Sequence, residues 1–164
     1  MARVLGIDPG LKITGYGLVE VRDQVLDPVL VEAGVIRLVV TEQIESRLVH
    51  LHRDLSAIIE RLSPDHLVVE KLFAHYQHPR TAILMAHARG TILLCAGQYE
   101  IDVEHVSATA VKKAITGFGH ASKVQMQQAV AAQCQLNEAP SPPDVADAIA
   151  IGLTAARRLA VAHL

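Results

Sequence analysis

The sequence predicts an α/β domain in which a five-stranded mixed sheet is flanked by α-helices. Short apolar or β-branched runs alternate with stretches in which apolar residues recur at helical spacing. The chain has 164 residues, which is enough for one sizeable core. It contains no internal repeat, no low-complexity tract and no long linker. We therefore predict a single domain over residues 1–164.

The first two strands are predicted as an antiparallel hairpin. The apolar run that starts at Arg3 stops at Asp8, where Pro9-Gly10 breaks it, and a second strand-like run follows after a short turn-rich link. Three further β-branched or apolar runs complete the sheet. The predicted strands are residues 3–8, 13–21, 29–40, 66–70 and 101–106.

The helices are predicted from apolar residues spaced three and four apart. The first one carries the stripe Leu48, Leu51, Leu55, Ile58, Ile59 and Leu62, and Ser63-Pro64 ends it. Ser107 is a predicted N-cap, and a proline-rich break precedes the last helix. The predicted helices are residues 45–62, 79–99, 107–115, 122–136 and 144–163.

The predicted helix 79–99 is apolar on more than one side. Such a helix is either buried or packs both on its own sheet and on another subunit. Because 51% of the whole chain is hydrophobic, we expect a face reserved for a partner subunit and predict a homodimer built partly on this helix.

Neither membrane insertion nor disulfide bonding is predicted. The most apolar stretch, residues 81–97, is interrupted by His87, Arg89 and Gly90. Cys95 and Cys134 stand far apart in apolar helical stretches, which predicts two reduced core thiols and a cytoplasmic protein.

The net charge of −2 does not by itself indicate nucleic-acid binding. The basic residues are nevertheless segregated from the acids in two stretches, 71–99 and 105–137. These stretches contain Lys71, Arg80, Arg89, Lys112, Lys113 and Lys123. A modestly basic face could bind a polyanion, although the same pattern also fits a solvated surface that binds nothing.

Four acids form a pattern that requires an explanation. Asp8 and Glu70 each follow a predicted buried strand, and Asp144 and Asp147 share one face of the last helix. Clustered carboxylates repel one another unless a positive charge lies among them. Hard oxygen ligands are those that Mg²⁺ prefers, and two such ions can promote phosphodiester hydrolysis.

Each acid also has a simpler interpretation. Asp8 could be a turn residue, and Glu70 could form a surface pair with Lys71. Asp144 lies in the first helical turn, where the helix dipole favours acids. Asp147 is harder to explain in this way because it precedes an apolar run, near which a lone charge is costly.

Five short motifs follow one another along the chain: GIDPG at 6–10, TGYG at 14–17, VEKLF at 69–73, ARG at 88–90 and DVADAIA at 144–150. Together they resemble the RuvC family of crossover junction endodeoxyribonucleases. The resemblance covers the full chain in the family's order. It implies an RNase H-like fold, a homodimer, and paired cuts in opposite strands of four-way (Holliday) junction DNA.

The resemblance also assigns roles to individual residues. Asp8, Glu70, Asp144 and Asp147 match the family's metal-binding carboxylates, which implies two Mg²⁺ ions, with Mn²⁺ as an alternative, and products with 5′-phosphate and 3′-hydroxyl ends. Lys123 is expected to stabilise charge on the scissile phosphate. Phe73, Lys112 and Arg80 are expected DNA contacts, and the RuvA and RuvB branch-migration proteins are expected partners.

Three other functions remain open at this point. They are a related nuclease that acts on RNA or on other branched DNA, an actin-like ATPase or sugar-kinase domain suggested by GIDPG, and a DNA-binding module without activity. Phe73 likewise has two interpretations, because it could cover the core or stack on a base at the branch point.

Overall fold

Five strands and five helices make up the described part of the chain, which comprises residues 1–22, 25, 27–72 and 79–162 of a computed structural model. The strands are β1 (Ala2–Asp8), β2 (Ile13–Val21), β3 (Val29–Arg37), β4 (His66–Glu70) and β5 (Asp102–Val106). The helices are α1 (Ile44–Leu62), α2 (Pro79–Gln98), α3 (Ala108–Thr116), α4 (Lys123–Gln133) and α5 (Pro143–Ala162).

The strands form one mixed sheet in the order β3-β2-β1-β4-β5. Strand β2 pairs antiparallel with both β1 and β3, whereas β1, β4 and β5 run parallel as neighbours. The predicted five-stranded mixed sheet with flanking helices is therefore confirmed. That the chain forms a single domain stays a prediction.

Side chains on the two faces of the sheet build two separate cores. Leu5 and Ile7 pack with α1 and α2 on one face, and Val4 packs with α3, α4 and α5 on the other. Because successive side chains of a strand point to opposite faces, Asp8 lies on the same face as Val4. The end of β1 therefore presents its carboxylate on the side of α5.

Helix α5 lies directly on the sheet because glycines face it. A Cβ added at Gly6 or Gly15 would collide with the α5 backbone, at Gly15 with the backbone of Asp144. Gly15 is the cross-strand partner of Asp8 in the β1–β2 pair. The missing side chain thus allows the first turn of α5 to lie beside the end of β1.

Strand β3 ends at Arg37, which corrects the predicted strand 29–40. Arg37 pairs with Ile13, the first residue of β2, so the chain beyond it has no neighbouring strand. Val39 and Val40 are accordingly 47% and 54% exposed. A β-branched composition does not form a strand without a partner.

Helix α4 is shorter than the predicted range 122–136. Ser122 is its N-cap, and the helix ends at Gln133. Cys134 follows as the half-buried C-cap and packs against the edge of one core, whereas Cys95 is fully buried in α2. Both cysteines are free, as predicted. The remaining elements agree with the predicted boundaries to within one residue at each end, and α5 reaches Ala162, the last described residue.

Among the helices of the described ranges, none is both long enough and apolar enough to span a membrane.

Candidate active site

A cleft of about 620 Å³ opens where the ends of β1 and β4 meet helices α3, α4 and α5. All four acids and two of the lysines singled out in the sequence lie along it, namely Asp8, Glu70, Asp144, Asp147, Lys112 and Lys123. The fold therefore brings together side chains from five separate elements.

The two strand acids meet because β1 and β4 are parallel neighbours. Ile7 pairs with Val69, and each of these residues directly precedes one of the acids. Asp8 and Glu70 thus end adjacent strands at the same level. They also share a face, because Glu70 is two residues from Val68, which packs in the same core as Val4.

The two helix acids are placed by the rotation of α5. Asp144, Asp147 and Ile151 line the cleft at spacings of three and four residues. Between them, Val145, Ala146 and Ala148 are buried, so the other faces of this helix are committed to the core. Pro143 is its first residue, a position that favours proline.

The turn after Asp8 is held by a buried threonine. The Thr14 hydroxyl donates to the Gly10 carbonyl oxygen at 2.7 Å and accepts from the Gly10 amide at 3.1 Å, and Thr14 is fully buried. Sequence reasoning did not assign a role to Thr14 or Gly15. The available signal was TGYG, in which a polar residue and glycines interrupt an otherwise apolar strand.

The electrostatics of Asp8 reflect its crowded position. Burial, reinforced by the negative charges of Asp147, Glu70 and Asp144, raises the pKa of Asp8 to about 8, and Lys123 only partly opposes this effect. A carboxyl with such a pKa is largely protonated at neutral pH in the protein without a bound cation.

Glu70 and Asp147 are shifted in the same direction. Burial, together with the charge of Asp147, raises the pKa of Glu70, and Lys112 opposes the shift. Burial also raises the pKa of Asp147, while Lys123 and Lys112 lower it and Asp144 raises it. Lys112 and Lys123 thus offset only part of the negative charge in the cleft, which favours a bound cation.

The lysines come from the neighbouring helices. Lys123 is the first residue of α4 and lies within a capping box, in which Ser122 and Gln125 exchange side-chain-to-backbone hydrogen bonds. The positive end of the α4 dipole therefore adds to the charge of Lys123. Lys112 is half-buried in α3. Lys12 also lies along the cleft, and sequence reasoning did not select it.

The donor set suits a hard, partly hydrated cation. In the described part of the chain, no group of three or more His, Cys, Asp or Glu side chains is arranged to hold a metal ion. Mg²⁺ typically keeps several waters and binds one or two carboxylates together with substrate phosphates, rather than a complete cage of protein ligands. An open cleft lined by four carboxylates fits that mode of binding.

Two predicted DNA contacts are not placed in the cleft. Arg80 is exposed in the first turn of α2 and is not among the described residues that line the cleft. Phe73 lies outside the described residues, as do His75 and His78.

Comparison with known proteins places the chain in a family. The family model for crossover junction endodeoxyribonuclease RuvC matches residues 4–155. The chain belongs to the RuvC family. The RuvC of Rhodopirellula baltica is 47% identical over 150 residues, covering 92% of this chain and 83% of that protein. The RuvC of Heliobacterium modesticaldum is 40% identical over 156 residues, covering 95% and 94%.

A solved structure of another family member has the same fold. T. thermophilus RuvC, in complex with a Holliday junction substrate, is 31% identical, with a TM-score of 0.88, and the match covers 99% of this chain and 98% of that one. The RNase H-like fold implied by the sequence motifs is confirmed. RuvC proteins are metal-dependent nucleases, and the carboxylate cleft is the part of this chain that matches such chemistry.

Proposed function

We propose that this chain resolves four-way DNA junctions by cutting paired phosphodiester bonds in opposite strands during recombination and repair. The observation that carries the proposal is the cleft in which Asp8, Glu70, Asp144 and Asp147 stand beside Lys112 and Lys123, in a chain that matches the RuvC model from residue 4 to 155. A protein that only bound DNA would gain nothing by placing carboxylates near phosphates.

The proposed cofactor is Mg²⁺, two ions per cleft, with Mn²⁺ able to substitute, held by the four carboxylates. Bound there, such ions would activate a water for attack and neutralise charge on the leaving oxygen. We propose 5′-phosphate and 3′-hydroxyl products. The raised pKa values of Asp8, Glu70 and Asp147 support this assignment, because these groups lack sufficient positive neighbours in the protein alone.

The lysines are proposed to act on the substrate's phosphates. Lys123 lowers the pKa of Asp8 and of Asp147, so its ammonium is within electrostatic range of both. From the same position it would stabilise the extra negative charge that develops on the scissile phosphate. Lys112 is proposed to bind a phosphate beside the cleft. Arg80 and Phe73 are proposed to contact the junction farther away, Phe73 by stacking on a base at the branch point.

The assembly proposed is a homodimer that uses α2. A four-way junction is close to two-fold symmetric, so a two-fold dimer would place one cleft on each of two equivalent strands. Ile83 and Leu94 of α2 are 59% and 56% exposed, which supports an interface on this helix. Docking to RuvA and RuvB and a cytoplasmic location stay predictions.

The decisive experiment is incubation with a synthetic four-way junction and Mg²⁺, followed by separation of the products on a denaturing gel. We expect symmetric cuts in one pair of opposite strands, and no cleavage in EDTA. Linear duplex, single-stranded RNA and a three-way junction are the comparison substrates. Equal cleavage of all four substrates would contradict junction specificity, and cleavage in EDTA would contradict the metal requirement.

A further inference from the structure

Arg89 of α2 reaches the ends of two neighbouring strands at once. Its Nε donates to the backbone oxygen of Glu70 at 3.1 Å, and one of its terminal nitrogens lies 2.6 Å from Nδ1 of His105. A guanidinium has only donors, so Nδ1 must accept and can carry no proton. The arginine therefore bridges the last residue of β4 and the penultimate residue of β5.

The surroundings of His105 agree with this hydrogen-bond direction. Burial and the positive charges of Arg89 and Lys71 lower the pKa of His105. The neutral ring is thus favoured, and it leaves Nδ1 free to accept from the guanidinium.

The bridge acts at the point where the β4–β5 ladder ends. The register finishes with Glu70 opposite Val106, and the Lys71 amide makes one more bond to the Val106 carbonyl oxygen at 2.7 Å. Residues 73–78, between Leu72 and the start of α2, lie outside the described part of the chain. The Arg89 contact thus fixes the strand end directly at the residue whose carboxylate enters the cleft.

We propose that Arg89 is a positioning residue that sets the direction of the Glu70 carboxylate by holding the backbone of Glu70. Arg89 is not among the described residues that line the cleft, so it acts through Glu70 and not on the substrate. The proposal rests on the proposed function, because it requires Glu70 to be a working carboxylate.

The planar, charged guanidinium of Arg89 is well suited to holding the Glu70 backbone and the His105 ring at the same time. Hydrogen bonds from an ionised donor are stronger than those between neutral groups, and the planar guanidinium fixes two acceptors in one geometry. A lysine at this position would keep the positive charge but has a single nitrogen, so it could not reproduce two contacts made by two separate nitrogens in a fixed plane.

The test compares Arg89→Ala and Arg89→Lys with the wild type in two assays. Single-turnover cleavage of the four-way junction should fall about 10- to 100-fold in Arg89→Ala, the usual cost of losing an outer-shell partner, while junction affinity in EDTA stays unchanged. Arg89→Lys should recover part of the rate. Hydrogen exchange in the metal-free protein should accelerate at the Lys71 amide but not in the β1–β2 pair.

Arg158→Ala is the matched control. Arg158 is also a helical arginine tied to β5, through a 2.7 Å ion pair with Glu104, but it extends from α5. Its loss removes the same charge from the protein and should leave both the cleavage rate and the exchange of Lys71 at wild-type values. If Arg158→Ala lost as much cleavage rate as Arg89→Ala, the proposal would be overturned, because the loss of one positive charge from the protein would then explain both effects.

Two results in Arg89→Ala would also overturn the proposal: wild-type cleavage in an assay where the wild type cuts, or exchange that rises equally throughout the sheet. If Arg89→Ala does not fold, Arg89→Lys decides, and a wild-type rate with wild-type exchange at Lys71 would contradict the inference. Failure of the wild-type protein to cut would instead contradict the proposed function.

Discussion

At the scale of single residues, the carboxyl of Asp8 shows how strongly the cleft favours a cation. Burial and three neighbouring acids raise its pKa to about 8. At neutral pH a cation must therefore displace a proton from this site. Because metal ligands bind in their deprotonated form, binding of a divalent ion should release protons and should strengthen as the pH rises.

The raised pKa of Asp8 predicts a pH-dependent stability in the metal-free protein. The folded state binds this proton more tightly than the unfolded state, in which the pKa is near 3.8. Its contribution is thus fully present below about pH 4 and is lost as the pH rises through about 8. Asp8→Asn cannot ionise, so in EDTA its melting temperature should exceed that of the wild type increasingly from pH 5 to pH 8.

Scanning calorimetry measures this difference. For a chain of this size, each 1 kcal/mol corresponds to roughly 2–4 °C in Tm. Glu138→Gln, a change at an exposed acid outside the cleft, is the control and should follow the wild-type pH profile. Parallel profiles for Asp8→Asn and the wild type would show that the pKa of Asp8 is not raised.

Removing one carboxylate should separate cutting from binding. Glu70→Gln and Asp147→Asn each remove one proposed metal ligand and one negative charge that repels DNA, while Lys112 and Lys123 remain. Cleavage should fall by more than the roughly 10- to 100-fold typical of an outer-shell change, and junction affinity in EDTA should be equal or slightly higher. Near wild-type cleavage in Mg²⁺ by either variant would remove that residue from the set of ligands.

At the scale of elements, the two long apolar helices have different environments. Helix α5 is buried along most of its length, whereas α2 buries only Ala88, Ile92, Cys95 and Ala96. The opposite side of α2 leaves Ile83, Ala86, Gly90 and Leu94 exposed. These residues recur at spacings of three and four, so they form one apolar face that the described part of the chain does not cover.

A charge placed on this face of α2 should prevent dimer formation. Ala86→Glu would bury an unpaired carboxylate in the proposed interface, which is strongly unfavourable if the site is dry. Sedimentation at micromolar concentration should show a dimer for the wild type and a monomer for Ala86→Glu.

The matched control is Val49→Glu, which places the same charge at an exposed apolar position of α1, where Val49 is 69% exposed. It should remain a dimer. A monomeric wild type would contradict the dimer itself, whereas a dimeric Ala86→Glu protein would contradict only the interface on α2.

At the scale of the whole molecule, a chain with net charge −2 must attract a polyanion through a local surface. Helices α3 and α4 contain three lysines and no acid. Two of these lysines face the cleft, where they meet the four carboxylates. The positive charge that could bind DNA phosphates is thus concentrated on the side of the molecule where the proposed chemistry takes place.

The salt dependence of junction binding should report the contact at Lys112. Each phosphate contact that is lost lowers the slope of log affinity against log salt concentration by roughly one unit. Lys112→Ala should show this change, with a similar loss of affinity across junction sequences. Lys113→Ala removes the same charge from an exposed position outside the cleft lining and should keep the wild-type slope. An unchanged slope in Lys112→Ala would place Lys112 away from the DNA.

The sequence by itself determined most of the element boundaries and indicated the four candidate acids. Strand alternation and helical spacing follow from local backbone geometry, so eight of the ten elements in the described part of the chain could be placed from the order of apolar residues to within one residue at each end. Strand β3 and helix α4 were each predicted three residues too long at the C-terminal end. The four acids stood out as a joint pattern, after two predicted buried strands and on one face of the last helix, and they matched motifs of the RuvC family. Only Asp147 resisted a simpler interpretation by itself, because a lone charge beside an apolar run is costly. The predicted strand 29–40 was too long because β3 ends where its neighbour β2 begins, at the pair Arg37–Ile13. The local composition of residues 29–40 carries no information about that position.

Only the tertiary structure decided how these parts meet. That β4 lies beside β1 brings Glu70 to Asp8, and the bare backbone of Gly15 lets α5 carry Asp144 to the same point. The raised pKa of Asp8 and the bond from Arg89 to the Glu70 carbonyl exist only after this assembly. Strand order, close approach and electrostatic coupling depend on residues far apart in the chain, and no local pattern of the sequence specifies them.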